Sequence, residues 1–261
     1  MFKTFDLKGT GPVIDLSDDQ YPTKVHICQH VFEGHPESTY YGMITDGRAR
    51  LIDVASQNES ILRAGMVFRM AGPMVLNASG GTAMIVERMH FKGYPTIAGP
   101  LEETGRLKYV NGCTDSLIIP NEKKGDPCLN HLHIPAGIDQ TFHDHPSSRI
   151  GVIFKGAGVC LTPTDGFDLN AMVPLPFADV EDRAINPKSV VGWDRHELEE
   201  GMGWYIPTGL LHSFHTEEKA LDVLAWHPET ESGPTDEDHP MSNRTMINDV
   251  PASQIDSIRT R

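Results

Sequence analysis

The sequence contains no apolar run of the ~18 residues that a bilayer-spanning helix requires, so a membrane span is not expected. Behind its first positive charge, the segment Met1-Phe-Lys-Thr-Phe-Asp-Leu-Lys8 carries no apolar stretch and does not read as a secretion signal. Cysteine is sparse: Cys28, Cys113, Cys128 and Cys160 are scattered without CxxC spacing, which predicts reduced thiols in a cytoplasmic protein rather than a disulfide framework. Positive charge is also short, with 22 Lys and Arg against 36 Asp and Glu and a net charge of -14. Such a surface repels polyanions, which argues against nucleic acid or an anionic membrane as partner. No Ser/His/Asp order, phosphate-cradling glycine loop or spaced carboxylate pair is present, so those catalytic classes have no support.

Turn-forming residues are abundant instead. With 24 Gly and 19 Pro in 261 residues, the chain suits many short strands joined by tight turns, as one large β domain or two modules. Two stretches organise the rest. In Gly137-Ile-Asp-Gln-Thr-Phe-His143-Asp-His145-Pro-Ser-Ser-Arg149, continuing to Gly156, two histidines are separated by one residue. Side chains alternate along an extended strand, so both imidazoles share a face. The second stretch, Gly201-Met-Gly-Trp-Tyr-Ile-Pro207-Thr-Gly209-Leu-Leu-His212, adds a third histidine behind a Pro-x-Gly turn. His143, His145 and His212 are therefore predicted to converge on a divalent metal.

Together the stretches resemble the paired signature of the cupin superfamily, G-x5-HxH-x3-E-x6-G followed by G-x5-PxG-x2-H-x3-N. Every spacing matches, with two departures: Arg149 stands where the family usually carries a metal-binding Glu, and Thr216 where it carries Asn. The resemblance implies an all-β fold of two cupin barrels of double-stranded β-helix (jelly-roll) type in one chain. An internal repeat agrees with that implication. Gly65-Met-Val-Phe-Arg-Met-Ala-Gly-Pro-Met-Val-Leu76 aligns with Gly201 to His212, and Tyr40 to Gly47 aligns with Arg149 to Gly156. In that alignment Leu76 replaces the ligand His212, while Gly34 and Pro36 stand for His143 and His145. The expected organisation is a metal-free barrel over residues 1–112, with an N-terminal arm and linker, and a metal-binding barrel over 113–261.

Further expectations follow from the chain order. Residues 1–25 read as an arm, with a neighbouring subunit as a possible partner, and a homodimer is expected. Residues 91–112 form a bridge. By strand alternation Ile134 and Leu132 face inward, so His131 and His133 face outward as structural or interface residues. The first repeat runs from Gly47 to Gly65 and the second from Gly156 to Gly201, which places an insertion of about 27 residues near 162–192 as a lid or a subunit contact. Phe214 and Thr216 share the face of His212, and His215 points away. The tail from His227 reads as a solvated acidic loop, and residues 250–259 as a short helix.

Three neutral imidazoles leave a divalent ion its full charge and open coordination positions. With Fe(II), the resemblance implies a dioxygenase acting on a small anionic substrate, a carboxylate-bearing aromatic or diketone-like compound. With Zn, Mn or Ni the same ligands would support a metal-dependent isomerase or lyase on a sugar acid or similar carboxylate, and a non-catalytic small-molecule-binding cupin is the third reading. Arg149 cannot ligate a metal and is predicted to receive a substrate carboxylate. Phe142, Phe214 and Thr216 are expected to line the substrate pocket, and Tyr205 to serve as a proton donor.

Overall fold

Strand alternation sorts the side chains of this protein into three separate apolar cores. The structure is a computed structural model that describes residues 1–164 and 192–258. The expected insertion, and its reading as a lid or subunit contact, lies almost wholly outside the described residues. The chain enters with β1 (Lys3–Asp6), then builds an eight-stranded sheet from β2 (Gly11–Leu16), β3 (Thr23–Cys28), β4 (Val31–Gly34), β5 (Ser38–Asp53), β6 (Asn58–Arg63), β7 (Val67–Ala71), β8 (Met74–Met89) and β9 (Thr96–Ala98). A nine-stranded sheet follows, made from β10 (Leu107–Lys108), β11 (Thr114–Ile119), β12 (Cys128–Ile134), β13 (Arg149–Pro163), β14 (Trp193–Glu199), β15 (Met202–Ile206), β16 (Ser213–His215) and β17 (Leu221–His227), and β1 supplies its ninth strand.

The long strands β5 and β13 are the spines of the two sheets. β5 pairs with β6, β7 and β8, and β13 pairs with β14, β15, β16 and β17, all antiparallel. The register repeats between halves. Tyr40 opposes Met70 where Arg149 opposes Ile206, and Gly47 opposes Gly81 where Gly156 opposes Leu221. The alignment read from sequence is thus also the alignment of hydrogen bonds.

Each sheet wraps its own core. Tyr40, Leu51, Phe68 and Leu76 fill the first barrel, and Ile134, Ile153, Trp204, Ile206 and Phe214 fill the second. The opposite faces make the third core, where Val25, Tyr41, Met43 and Val86 of the first sheet meet Leu129, Ile150, Tyr205, Leu224 and Trp226 of the second. Tyr41 and Trp226 meet there edge to face, with ring centroids 5.9 Å apart. A buried arginine ties the halves together. Arg69, 3% exposed, reaches the carboxylate of Glu122 and donates to the carbonyls of Tyr94 and Pro120. An ion pair this deep is costly to break from one side, because the partner charge is left without compensation.

The C-terminal expectation needs correction, and the N-terminal arm packs on its own chain: β1 adds to β15, with Lys3 opposite Tyr205, and closes an edge of the second sheet. The C-terminal stretch makes a five-residue helix at Pro240–Arg244 and two single-turn 3-10 segments, Ala252–Gln254 and Asp256–Ile258, rather than one helix over 250–259. Among the described residues no helix is long and apolar enough to cross a membrane.

Candidate metal centre

The three histidines come together through two backbone bridges. His143 and His212 exchange both backbone hydrogen bonds, N to O at 3.0 and 2.9 Å, and the Gly209 amide donates to the His145 carbonyl at 2.9 Å. The motif glycines Gly137, Gly156, Gly201 and Gly209 all have positive φ, from 69° to 89°, which explains why these turns require glycine. The imidazole centroids lie 4.5 Å apart for His143 and His212, 5.0 Å for His143 and His145, and 5.1 Å for His145 and His212. One ligand nitrogen from each ring lies within 4.8 Å of the others.

Their hydrogen bonds select the ligating atom. Nδ1 of His143 sits 2.9 Å from the Thr141 carbonyl and Nδ1 of His212 2.8 Å from the Leu210 carbonyl, so each Nδ1 carries the proton and each Nε2 presents a lone pair. Nε2 of His212 is buried without a protein partner. Burial lowers the pKa of all three rings and Arg149 adds to each shift, while neighbouring histidines lower His145 and His212 further, to about 3 and about 4. The rings stay neutral at physiological pH, as metal ligation requires. An orphaned lone pair, fixed tautomers and three converging neutral nitrogens fit a divalent cation.

A cavity of about 220 Å³ opens beside this cluster on the inward face of the second sheet. Arg149 contributes to its wall and is 9% exposed. Its Nη1 donates to the Ser147 hydroxyl at 2.6 Å and to the Ser147 and Ser148 carbonyls at 3.0 Å, and Ser147 in turn donates to Glu229 at 2.7 Å. Its buried Nε has no protein partner. Phe214, Trp204, Ile206 and Leu132 supply the apolar wall. Trp204 can lie there because position 151 is glycine: a Cβ on Gly151 would come within 2.3 Å of the indole.

Three sequence expectations fail at the cavity. Tyr205 belongs to the inter-barrel core, one residue out of phase with Trp204 and Ile206, so its phenol faces away from the histidines. Phe142 is out of phase with His143 and stacks on Trp193 at 4.0 Å. Thr216 accepts from the Ile138 amide and donates to the Pro135 carbonyl, pinning the turn before the first motif. It lines a different, larger cleft of about 450 Å³ with Asp139, Trp193 and His215. That cleft holds no converging metal ligands among the described residues. The outward histidines are structural: His131 Nε2 and His133 Nδ1 both bond Oδ1 of Asp222, at 3.0 and 2.8 Å, and hold its carboxylate low against the effect of burial.

Sequence reasoning also missed six polar residues of the cavity wall: Lys108, Tyr109, Asp115, Asn130, Gln140 and His227. His227 is the last residue of β17, not the start of a solvated loop, and burial with Arg149 nearby drives its pKa well down. Alternation gave a usable signal for two of them, since Asn130 is in phase with Leu132, and His227 with Ala225, all on the cavity wall.

The fold and the cluster define a class: an all-β protein of the cupin fold, with a three-histidine cluster suited to a divalent cation on its second sheet. By sequence, no family model and no curated protein matches the chain. By structure, the chain is similar to a cupin 2 conserved barrel domain protein from Leptotrichia buccalis, with a TM-score of 0.54 and 10% identity over 86% of this chain and 95% of that one. It is similar to a putative glyoxylate-induced protein from Pseudomonas aeruginosa (TM-score 0.56, 10% identity, 90% and 82% covered). Oxalate decarboxylase from Bacillus subtilis, a protein with Mn(II) centres, gives a TM-score of 0.51 at 9% identity, with 90% and 79% covered. Identities this low speak for the fold alone.

Proposed function

We propose that the second barrel is the active half of a metal-dependent enzyme acting on a small carboxylate or diketone-like substrate, with Fe(II) at His143, His145 and His212 and dioxygen as co-substrate. The observation that carries this reading is the charge pattern of the site: three neutral imidazoles, and Arg149 in the cavity wall at the motif position that usually carries a carboxylate. When bound, the ion supplies Lewis-acid charge and open positions for a chelating substrate and dioxygen. With no carboxylate among the three ligands, the anionic donor is left to the substrate.

The chain's own groups do the rest. Arg149, anchored at Nη1 by Ser147, offers its unpartnered Nε to an anionic oxygen. Trp204, Phe214, Ile206 and Leu132 exclude water, which strengthens that pairing. A cavity of about 220 Å³ suits a small metabolite rather than a polymer. The same proposal places the enzyme in the cytoplasm, which suits four buried and unpaired thiols.

The test is elemental analysis of anaerobically purified protein, followed by oxygen uptake against catechols, hydroxybenzoates, diketones and thiols. About one iron per chain with substrate-dependent uptake is expected. Absence of any metal overturns the reading. Zn, Mn or Ni without oxygen uptake moves the assignment to the second reading, an isomerase or lyase on a small carboxylate, which the carboxyl of Asp115 in the cavity favours. Binding without turnover would mark a non-catalytic binding protein.

A further inference from the structure

Beside the histidine cluster and Arg149, the cavity wall carries Lys108, Tyr109, Asp115 and His227, and of these Asp115 alone is a carboxylate. Asp115 on β11 lies opposite Leu132 of β12, and both line the cavity. Asn130 Nδ2 donates to Asp115 Oδ1 at 2.9 Å and fixes the carboxylate plane. Oδ2 takes no hydrogen bond from the described residues. Burial raises the pKa of Asp115 to about 6, held back by the Asn130 hydrogen bond and the field of His131. The other charged or titratable groups around it do not neutralise it: His131 is committed to Asp222, Tyr109 is a phenol and His227 an imidazole kept neutral by burial, Arg149 is anchored on Ser147, and Lys108, on the same wall, makes no ion pair with it.

A carboxylate that serves only the fold looks different in this same molecule. Glu87, at a comparable depth in the first barrel, is saturated by His26, Ser38 and Tyr40, and their hydrogen bonds outweigh burial to lower its pKa. Asp115 is oriented but half open, in a position that costs stability.

We propose that Asp115 is the proton-transfer residue of this cavity, its free Oδ2 taking the carbon-bound proton beside the carbonyl of an enolisable substrate, a 2-oxo acid or a 1,3-diketone. The proposal rests on the reading of the cavity as a metal-dependent active site. In the step the C–H bond breaks, its electron pair becomes the C=C bond of the enolate, the carbonyl oxygen takes the negative charge, and a new O–H bond forms on Asp115. Return of the proton to the same or a neighbouring carbon reverses it. No oxidant or reductant is consumed. A base whose pKa lies just below the working pH is both ionised and strong enough for this transfer.

The experiment follows hydrogen–deuterium exchange by proton NMR in D2O, under nitrogen, with Fe(II)-loaded and Zn(II)-loaded full-length protein and pyruvate, 2-oxoglutarate and acetylacetone as probes, while calorimetry measures their binding. Exchange at least 100-fold above buffer is expected for at least one probe, rising with pH and levelling above about 6. Asp115→Asn should lower it at least 100-fold with probe affinity changed less than threefold, and Asn130→Ala, which frees the carboxylate plane, about tenfold. Circular dichroism and metal content establish that the variants are folded and loaded. Unchanged exchange in Asp115→Asn, or probe bound by the wild type without exchange, overturns the role of Asp115. Failure of the loaded wild type to bind any probe overturns the active-site reading beneath it, and the proposal with it.

Discussion

The two barrels place polar clusters at matching positions and finish them differently. In the first barrel His26, Ser38, Tyr40 and Glu87 bond to one another: His26 to Glu87 at 3.0 Å, Ser38 to Glu87 at 2.7 Å and Tyr40 to Glu87 at 3.3 Å. The strand registers put Asn130, Ser147, Arg149 and His227 at the corresponding places in the second. There Arg149 keeps a buried Nε without a protein partner. The same alternation governs the ligand positions: Leu76, fully buried, packs the first core where His212 presents a bare Nε2. A polar cluster that closes on itself becomes core, and one left open becomes a site.

The largest test of that contrast is removal of a ligand. His212→Ala should lower metal affinity by about a thousandfold or more, on the order of 4 kcal/mol, and elemental analysis should find the protein without its ion. Leu76→His alone should create no site in the first barrel, since Gly34 and Pro36 supply no ligands. The converse test is Leu76→Ala. It should cost about 2–5 kcal/mol in denaturant unfolding by opening a cavity in the first core, while the metal content stays unchanged.

Arg149→Met comes next. It should weaken binding of a small carboxylate such as pyruvate by about tenfold or more, roughly 1.4 kcal/mol. Loss of a positive charge beside the histidines should leave metal affinity equal or slightly higher, by the Coulomb sign, so equal losses of both would refute the anion-receiving role. The smallest effect concerns Asp115. Its folded pKa, about 6, lies above the ordinary carboxylate value of 3.8, so the folded state keeps a proton that the unfolded chain has lost. Wild-type stability therefore falls as pH rises from about 4 to about 6, and the cost is fully present above that window. Asp115→Asn should be more stable than wild type by about 1 kcal/mol at pH 7, after discounting for solvent, and equal near pH 4.

Much of the site was legible because metal ligation needs few residue types at fixed spacing. His143, His145 and His212, the glycines that turn the chain toward them, and the repeat relating Leu76 to His212 are all periodic features. Alternation also placed Phe214 on the ligand face and His215 on the other. Tyr205 and Phe142 were misplaced because proximity in sequence to a motif says nothing about phase on the strand, and Thr216, in phase with His212, because β16 ends at His215. Tyr205 is one step from Trp204, and that step carries it into the core between barrels. Asp115 and Tyr109 escaped notice because the strands that bring them in, β11 and the segment before it, carry no motif.

By itself the sequence determined an all-β chain, the repeat, the turn glycines and which three histidines would cluster, since these depend on local periodicity and spacing. Only the tertiary structure decided which face each strand turned inward, that β1 would close an edge of the second sheet, and that Asp115, Asn130 and His227 would share a cavity with Arg149. Those outcomes depend on pairing between strands far apart in the chain, and such pairing is set by the global register rather than by any local run of residues.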